Sequence, residues 1–160
     1  NVIKKTTNAN STEIPRLKLG FFLLICYNQI GDFCEPKKSE LREKCMIILY
    51  QYDIMKNNKL EVEIDEVIKD NLEIRKDIVY GVITHESELN ELANKYIKDW
   101  TIDRLDKTGA AILRIALFEL KYTDTPEVVV INEAIELSKK YSDDAVRKII
   151  NAVLDRIIKE

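Results

Sequence analysis

Residues 108–122 read TGAAILRIALFELKY, the most apolar helical segment of the chain. When this segment is wound at 3.6 residues per turn, apolar side chains point in almost every direction, and between Gly109 and Leu120 only Arg114 and Glu119 are charged. A surface helix normally has one apolar stripe and one polar face. The pattern therefore predicts a central helix that is buried on most sides, with the rest of the chain packed around it.

Six more helices are predicted, four before that segment and two after it. Before it, an apolar stripe at three- and four-residue spacing begins near Ser39 and ends at Asn57-Asn58, and Ser87 is a candidate cap of a later helix. After it, Thr125 suits an N-cap, with Pro126 at the first helical position. The approximate predicted ranges are 39–56, 63–71, 74–84, 88–97, 126–141 and 144–157, the last capped by Ser142-Asp143.

The predicted fold class is all-α. Glu127–Ile131 (EVVVI) has strong β propensity, but no run of credible length follows the two-residue period of a strand. The connections between the predicted helices are short, as expected of a compact helical bundle.

Composition and charge narrow the function. The chain has 160 residues, 46% of them hydrophobic, and 25 basic against 28 acidic residues leave a net charge of −3. Residues 1–38 hold six basic and three acidic residues, which leaves 19 and 25 for residues 39–160. Since no basic field covers the whole molecule, any affinity for nucleic acid must come from a local patch.

The composition changes near Pro36. Residues 1–36 show no useful helical period and predict either a weakly ordered N-terminal extension or, at Phe21–Tyr27, an extra element docked on the main domain, 37–160. Phe21–Tyr27 is far shorter than the ~20 apolar residues that span a bilayer. The three cysteines (Cys26, Cys34, Cys45) form an odd set without CxxC spacing, so a reducing, cytoplasmic location is expected.

Motifs for catalysis are missing from the sequence. His85 is the only histidine, which makes a metal site improbable and a surface or cap position the better interpretation. With no Gly-rich phosphate loop, HExxH or GxSxG motif, we expect no enzyme, no catalytic residue, no cofactor and no metal. Four polar residues interrupt the apolar stripes and are expected to satisfy one another between central helices, or else to contact a ligand: Arg114, Glu119, Asn132 and Glu133.

Several of these segments resemble the NusB family of transcription antitermination factors. The resemblance covers residues 37–160 and lies in five segments taken together and in order: REKCMIILYQYDI (42–54), ELANKYIKDWTIDRL (91–105), ILRIALFEL (112–120), TPEVVVINEAIELSKKYSDD (125–144) and NAVLD (151–155). The resemblance implies an all-α fold of two packed three-helix bundles. It also implies a non-enzymatic factor that pairs with the ribosomal protein NusE, binds boxA-like single-stranded RNA and joins the transcription elongation complex in rRNA synthesis.

The resemblance also implies site residues. The family's RNA surface maps to Lys37, Lys38, Arg42, Lys44, Gln51, Arg147 and Lys148. A few basic side chains that converge on phosphates can bind RNA even when the domain is acidic overall. The partner surface maps to Tyr50 and Gly109. Tyr50 has three open roles: stacking on a base, contacting the partner, or plain packing.

Two other functions stay open. One is a helical protein-interaction module with weak or no RNA binding, which the acidic balance favours. The other is a module related to the N-terminal domain of rRNA cytosine methyltransferases. The residues up to Glu160 leave no room for a cofactor-binding sheet beside such a module.

Overall fold

The computed structural model describes residues 37–59, 63–69 and 74–160. These ranges form seven α-helices and one 3₁₀ turn, and they contain no strand. The predicted extension, 1–36, and the apolar run Phe21–Tyr27 lie outside the described residues, as does the end of the helix predicted over 63–71. The helices are α1 (Lys38–Asn57), α2 (Ile64–Ile68), α3 (Lys76–Thr84), α4 (Glu86–Tyr96), α5 (Lys107–Tyr122), α6 (Glu127–Tyr141) and α7 (Asp144–Ile157), with the 3₁₀ turn at Ile102–Arg104.

Helix α5 is the centre of the fold, as predicted. Every residue from Gly109 to Glu119 is buried, and Leu113 and Leu117 are fully enclosed. Helix α1 packs against α2 and α3, and helix α7 packs against α4 and α6. Both α1 and α7 also pack against α5. The prediction of an all-α fold with two packed three-helix bundles is therefore confirmed.

Side-chain caps define where helices α5 and α7 begin. Asp106 accepts a hydrogen bond from the Gly109 backbone N–H at 2.8 Å, and Asp143 accepts one from Val146 at the same distance. A capping carboxylate satisfies an N–H that has no partner within the helix and lies favourably at the positive end of the helix dipole. The predicted cap at Asp143 is confirmed.

Two other predicted helix starts were wrong, that of α6 by one residue and that of α4 by two. Pro126 precedes α6 rather than opening it, since its carbonyl accepts from the Val129 and Val130 N–H groups. Ser87 lies inside α4, because His85 occupies the junction: its N–H donates to Gly81 and its carbonyl accepts from Leu89. The interpretation of His85 as a surface or cap residue is confirmed, and its ring stacks on Tyr122 with centroids 4.4 Å apart.

The EVVVI segment forms the first turn and a half of α6. Val130 is buried, whereas Val128 and Val129 are exposed. The tertiary packing of α6 against α5 and α7 therefore overrides the β propensity of three consecutive valines. None of the helices within the described ranges is long and apolar enough to cross a bilayer.

Candidate nucleic-acid interface

Arg42, one of the residues predicted to contact RNA, is buried inside the fold. Its Nε donates to Glu119 Oε2 at 2.7 Å and its Nη2 donates to Glu119 Oε1 at 2.9 Å, and the two side chains are only 4% and 1% exposed. Thr125 adds a hydroxyl donor to Glu119 Oε1 at 3.4 Å. Because the guanidinium is enclosed and engaged by a bidentate carboxylate, we withdraw Arg42 from the predicted phosphate contacts.

Arg114 forms a second, separate polar cluster. Its Nη1 donates to Asp53 at 2.9 Å, its Nε donates to the Asn90 side-chain oxygen at 2.8 Å, and Glu86 lies 3.7 Å away. The expectation that Arg114 and Glu119 satisfy each other together with Asn132 and Glu133 is wrong. Both arginines instead reach carboxylates across the α1–α5 contact, while Asn132 is exposed to solvent.

The start of α1 carries the first group of predicted RNA contacts. Lys37 and Lys38 are exposed, and no ion pair within the described part of the chain involves either of them. Lys44 and Gln51 lie further along α1 and are half-buried. Lysine side chains at a helix start are well placed to reach a phosphate chain, although the positive end of the helix dipole gives them no local support.

The start of α7 carries the second group. Arg147 Nη2 pairs with Asp144 Oδ1 at 3.1 Å within the same helix, which partly offsets its charge. Lys148 is exposed, and none of the ion pairs among the described residues includes it. The two residues therefore differ in how much charge they present to a ligand.

The end of α6 links these two groups. Lys140 Nζ lies 2.7 Å from Glu43 Oε1, and the Tyr141 hydroxyl donates to the same oxygen. Glu43 directly precedes Lys44 on α1, and Tyr141 lies three residues ahead of Asp144, the first residue of α7. The hydrogen bond to Glu43 raises the pKa of Lys140, while burial and the same carboxylate raise the pKa of Tyr141.

Sequence reasoning missed Lys140, although a signal for it was present. The Lys139-Lys140 pair closes a predicted helix directly before the Ser142-Asp143 cap, so it had to lie beside the start of the last helix. What the pattern could not reveal is that Glu43, nearly 100 residues earlier in the chain, engages one of these lysines.

The two residues predicted to contact a partner have different environments. Tyr50 is half-buried on α1. Gly109 is buried, and a Cβ there would collide with the Asp106 carboxylate and with Val146 of α7. Its lack of a side chain lets α7 approach α5 closely. The assignment of Gly109 to the partner surface is therefore corrected to a packing role.

The arrangement defines a class of small all-α proteins in which one buried helix packs against five of the six other helices, with basic side chains at two helix starts. The chain belongs to the NusB family, whose family model matches residues 39–159. It is 38% identical over 128 residues to the transcription antitermination protein NusB of Macrococcus caseolyticus, covering 76% of this chain and 96% of that protein. The NusB protein of Staphylococcus aureus strain JH9 is 43% identical over 128 residues, which cover 76% of this chain and 98% of the relative.

Solved structures agree with this family membership. A crystal form of T. maritima NusB superimposes with a TM-score of 0.69 at 26% identity, covering 79% of this chain and 94% of that one. NusB in a crystal structure of antitermination factors NusB and NusE with dsRNA gives a TM-score of 0.61 at 26% identity, covering 76% of this chain and 96% of that one.

Proposed function

We propose that this chain is an RNA-binding transcription antitermination factor that pairs with a NusE-type ribosomal protein and binds boxA-type single-stranded RNA during rRNA transcription. The observation that carries the proposal is the family match over residues 39–159. It is supported by relatives named as NusB antitermination proteins and by a structural neighbour crystallised with NusE and RNA. A factor of this kind acts by binding within the elongation complex, in the cytoplasm, and needs no catalytic centre.

The charge distribution supports an electrostatic mode of binding. With Arg42 enclosed, the phosphate contacts we propose are Lys37, Lys38 and Lys148, with Lys44, Gln51 and Arg147 at their edges. Each phosphate neutralised on a single strand releases counterions and steepens the plot of log affinity against log salt by ~0.7. Sequence preference must then come from other contacts, for which Tyr50 is the aromatic candidate.

We also propose that residues 37–160 are the binding unit and that 1–36 form an extension to it. All the candidate contacts lie in the first range. The family match and the helices both fall within residues 37–160.

The test is a titration of labelled boxA-like RNA, followed by fluorescence anisotropy between 50 and 200 mM salt, with and without a NusE-type protein. We expect Lys38→Ala/Lys148→Ala to weaken binding to all RNA sequences about equally and to flatten the salt slope by ~1.4, at ~0.7 for each lost contact. The matched control is Lys98→Ala/Lys159→Ala, which removes two exposed lysines outside the proposed surface and should leave the slope unchanged.

A protein-interaction module is the second candidate, because Arg42 is buried and Arg147 is paired with Asp144, which thins the basic surface. Under that function the chain would capture the NusE-type protein equally well with and without RNA. An unchanged slope in the Lys38→Ala/Lys148→Ala variant would contradict the proposed RNA surface.

A further inference from the structure

An acidic residue lies within the proposed RNA surface. Glu43 Oε1 is 2.7 Å from Lys140 Nζ and also accepts the Tyr141 hydroxyl hydrogen bond. The Glu43 side chain is 27% exposed, whereas that of Lys140 is 58% exposed. The carboxylate is thus held at the base of the pair, with the ammonium nearer to solvent.

Glu43 and Lys140 belong to the helices that carry or precede the two groups of basic residues in the proposed RNA surface. Glu43 belongs to the first turns of α1, which begins at Lys38, and Lys140 and Tyr141 are the last two residues of α6. Two residues, Ser142 and Asp143, separate Tyr141 from α7 and its basic side chains. A phosphate that passes from the start of α1 to the start of α7 therefore meets the fields of both Glu43 and Lys140.

We propose that Glu43 and Lys140 form a charge-compensated pair in the RNA surface, in which Glu43 positions Lys140 and cancels its attraction for phosphates. This inference rests on the proposed function. The screening length is ~8 Å at physiological salt, so a phosphate at that distance responds to the sum of two opposite charges less than 3 Å apart. In this arrangement Lys140 adds no net attraction for RNA while Glu43 is charged beside it. The charge of Glu43 therefore sets how strongly the surface attracts RNA.

The experiment is a double-mutant cycle on full-length protein. We measure boxA-like RNA binding from 50 to 200 mM salt for the parent, Glu43→Gln, Lys140→Met and the double variant. Glutamine retains an oxygen that can accept the Tyr141 hydrogen bond, so only the charge changes. Glu43→Gln should steepen the salt slope by ~0.7, and Lys140→Met should flatten it by a similar amount. Between ~50 and ~200 mM salt, Glu43→Gln should therefore lose about threefold more affinity than the parent, and Lys140→Met about threefold less. The double variant should match the parent.

A matched control comes from the Lys56–Glu86 pair. Its atoms are 2.8 Å apart and its side chains are 55% and 25% exposed, nearly the same as in the Lys140–Glu43 pair, but it lies at the far end of α1. Glu86→Gln should therefore leave the slope unchanged. Thermal unfolding of every variant by circular dichroism verifies that each is folded at the temperature of the titration.

The possible results separate the inference from the function on which it rests. If the parent binds RNA but Glu43→Gln has the parent's slope, the pair lies outside the RNA surface and the inference fails alone. A double variant as weak as Lys140→Met would make Lys140 a direct contact that Glu43 does not compensate, which also overturns it. A parent that binds no RNA would overturn the proposed function and the inference together.

Discussion

Breaking the buried Arg42–Glu119 pair should cost far more stability than breaking any surface pair. We consider Arg42→Met and Glu119→Leu, each of which leaves one charged group enclosed, and the double variant, which leaves none. Two charge-assisted hydrogen bonds, 2.7 and 2.9 Å long, join side chains that are almost fully buried. Removing one member of such a pair typically costs ~3–5 kcal/mol, while replacing both with apolar residues is often nearly neutral.

The assay is urea unfolding followed by circular dichroism, with thermal unfolding in parallel. Each single variant should lower the midpoint of thermal unfolding by roughly 10–20 °C, because 1 kcal/mol shifts the midpoint of a domain of this size by several degrees. The double variant should recover most of that loss. As a surface comparison, Lys95→Met breaks an exposed pair with Glu160 at 3.0 Å and should change the free energy of unfolding by no more than ~1 kcal/mol.

Two results would refute this reasoning. Single variants that lose less than ~1 kcal/mol would mean that water reaches the pair, as at a surface ion pair. A double variant as unstable as the singles would mean that the loss comes from packing volume rather than from an uncompensated charge. Arg42→Met should in addition keep the parent's salt slope for RNA when titrated below its unfolding temperature, since the guanidinium does not reach solvent.

Two further outcomes follow from buried positions. Gly109→Ala should destabilise the protein by ~1–3 kcal/mol in urea, because the new methyl group collides with Asp106 and Val146, whereas helix propensity alone would give a gain of about 1 kcal/mol. Burial raises the pKa of the Cys45 thiol to about 11, so iodoacetamide at pH 8, followed by peptide mass spectrometry, should modify Cys45 at least about a hundredfold more slowly in the folded protein than in urea. Equal rates would contradict the closed core, and ionisation of this thiol should reduce stability as the pH rises from about 9 toward 11.

The helices could be predicted because their signal is local. Apolar residues at three- and four-residue spacing specify which face of a helix is buried, and the nearly all-apolar segment 108–122 could only be central. The start of α6 shows where this stops working. Whether Pro126 precedes the helix or opens it depends on which N–H groups its carbonyl meets, and the local sequence is compatible with both.

The polar partners could not be predicted in the same way, because they are distant in sequence. Arg42 and Glu119 are 77 residues apart, and Arg114 and Asp53 are 61 residues apart. One signal was nevertheless available: Arg42 precedes Cys45 by three residues and Leu49 by seven, so it continues the buried stripe of α1. A charged residue on such a stripe indicates an internal partner before it indicates a ligand.

Three consecutive charged residues on α1 show why the number of charges near a helix start is a poor guide to its ligand. Arg42, Glu43 and Lys44 are separated by about 100° of rotation each, so they meet three different surroundings. Arg42 turns inward to Glu119, and Glu43 turns toward the end of α6. Lys44 is half-buried, and its contact with RNA stays a prediction. An Arg42→Lys change, conservative in charge, should therefore be costly, because an ammonium cannot reproduce the two-pronged contact with Glu119.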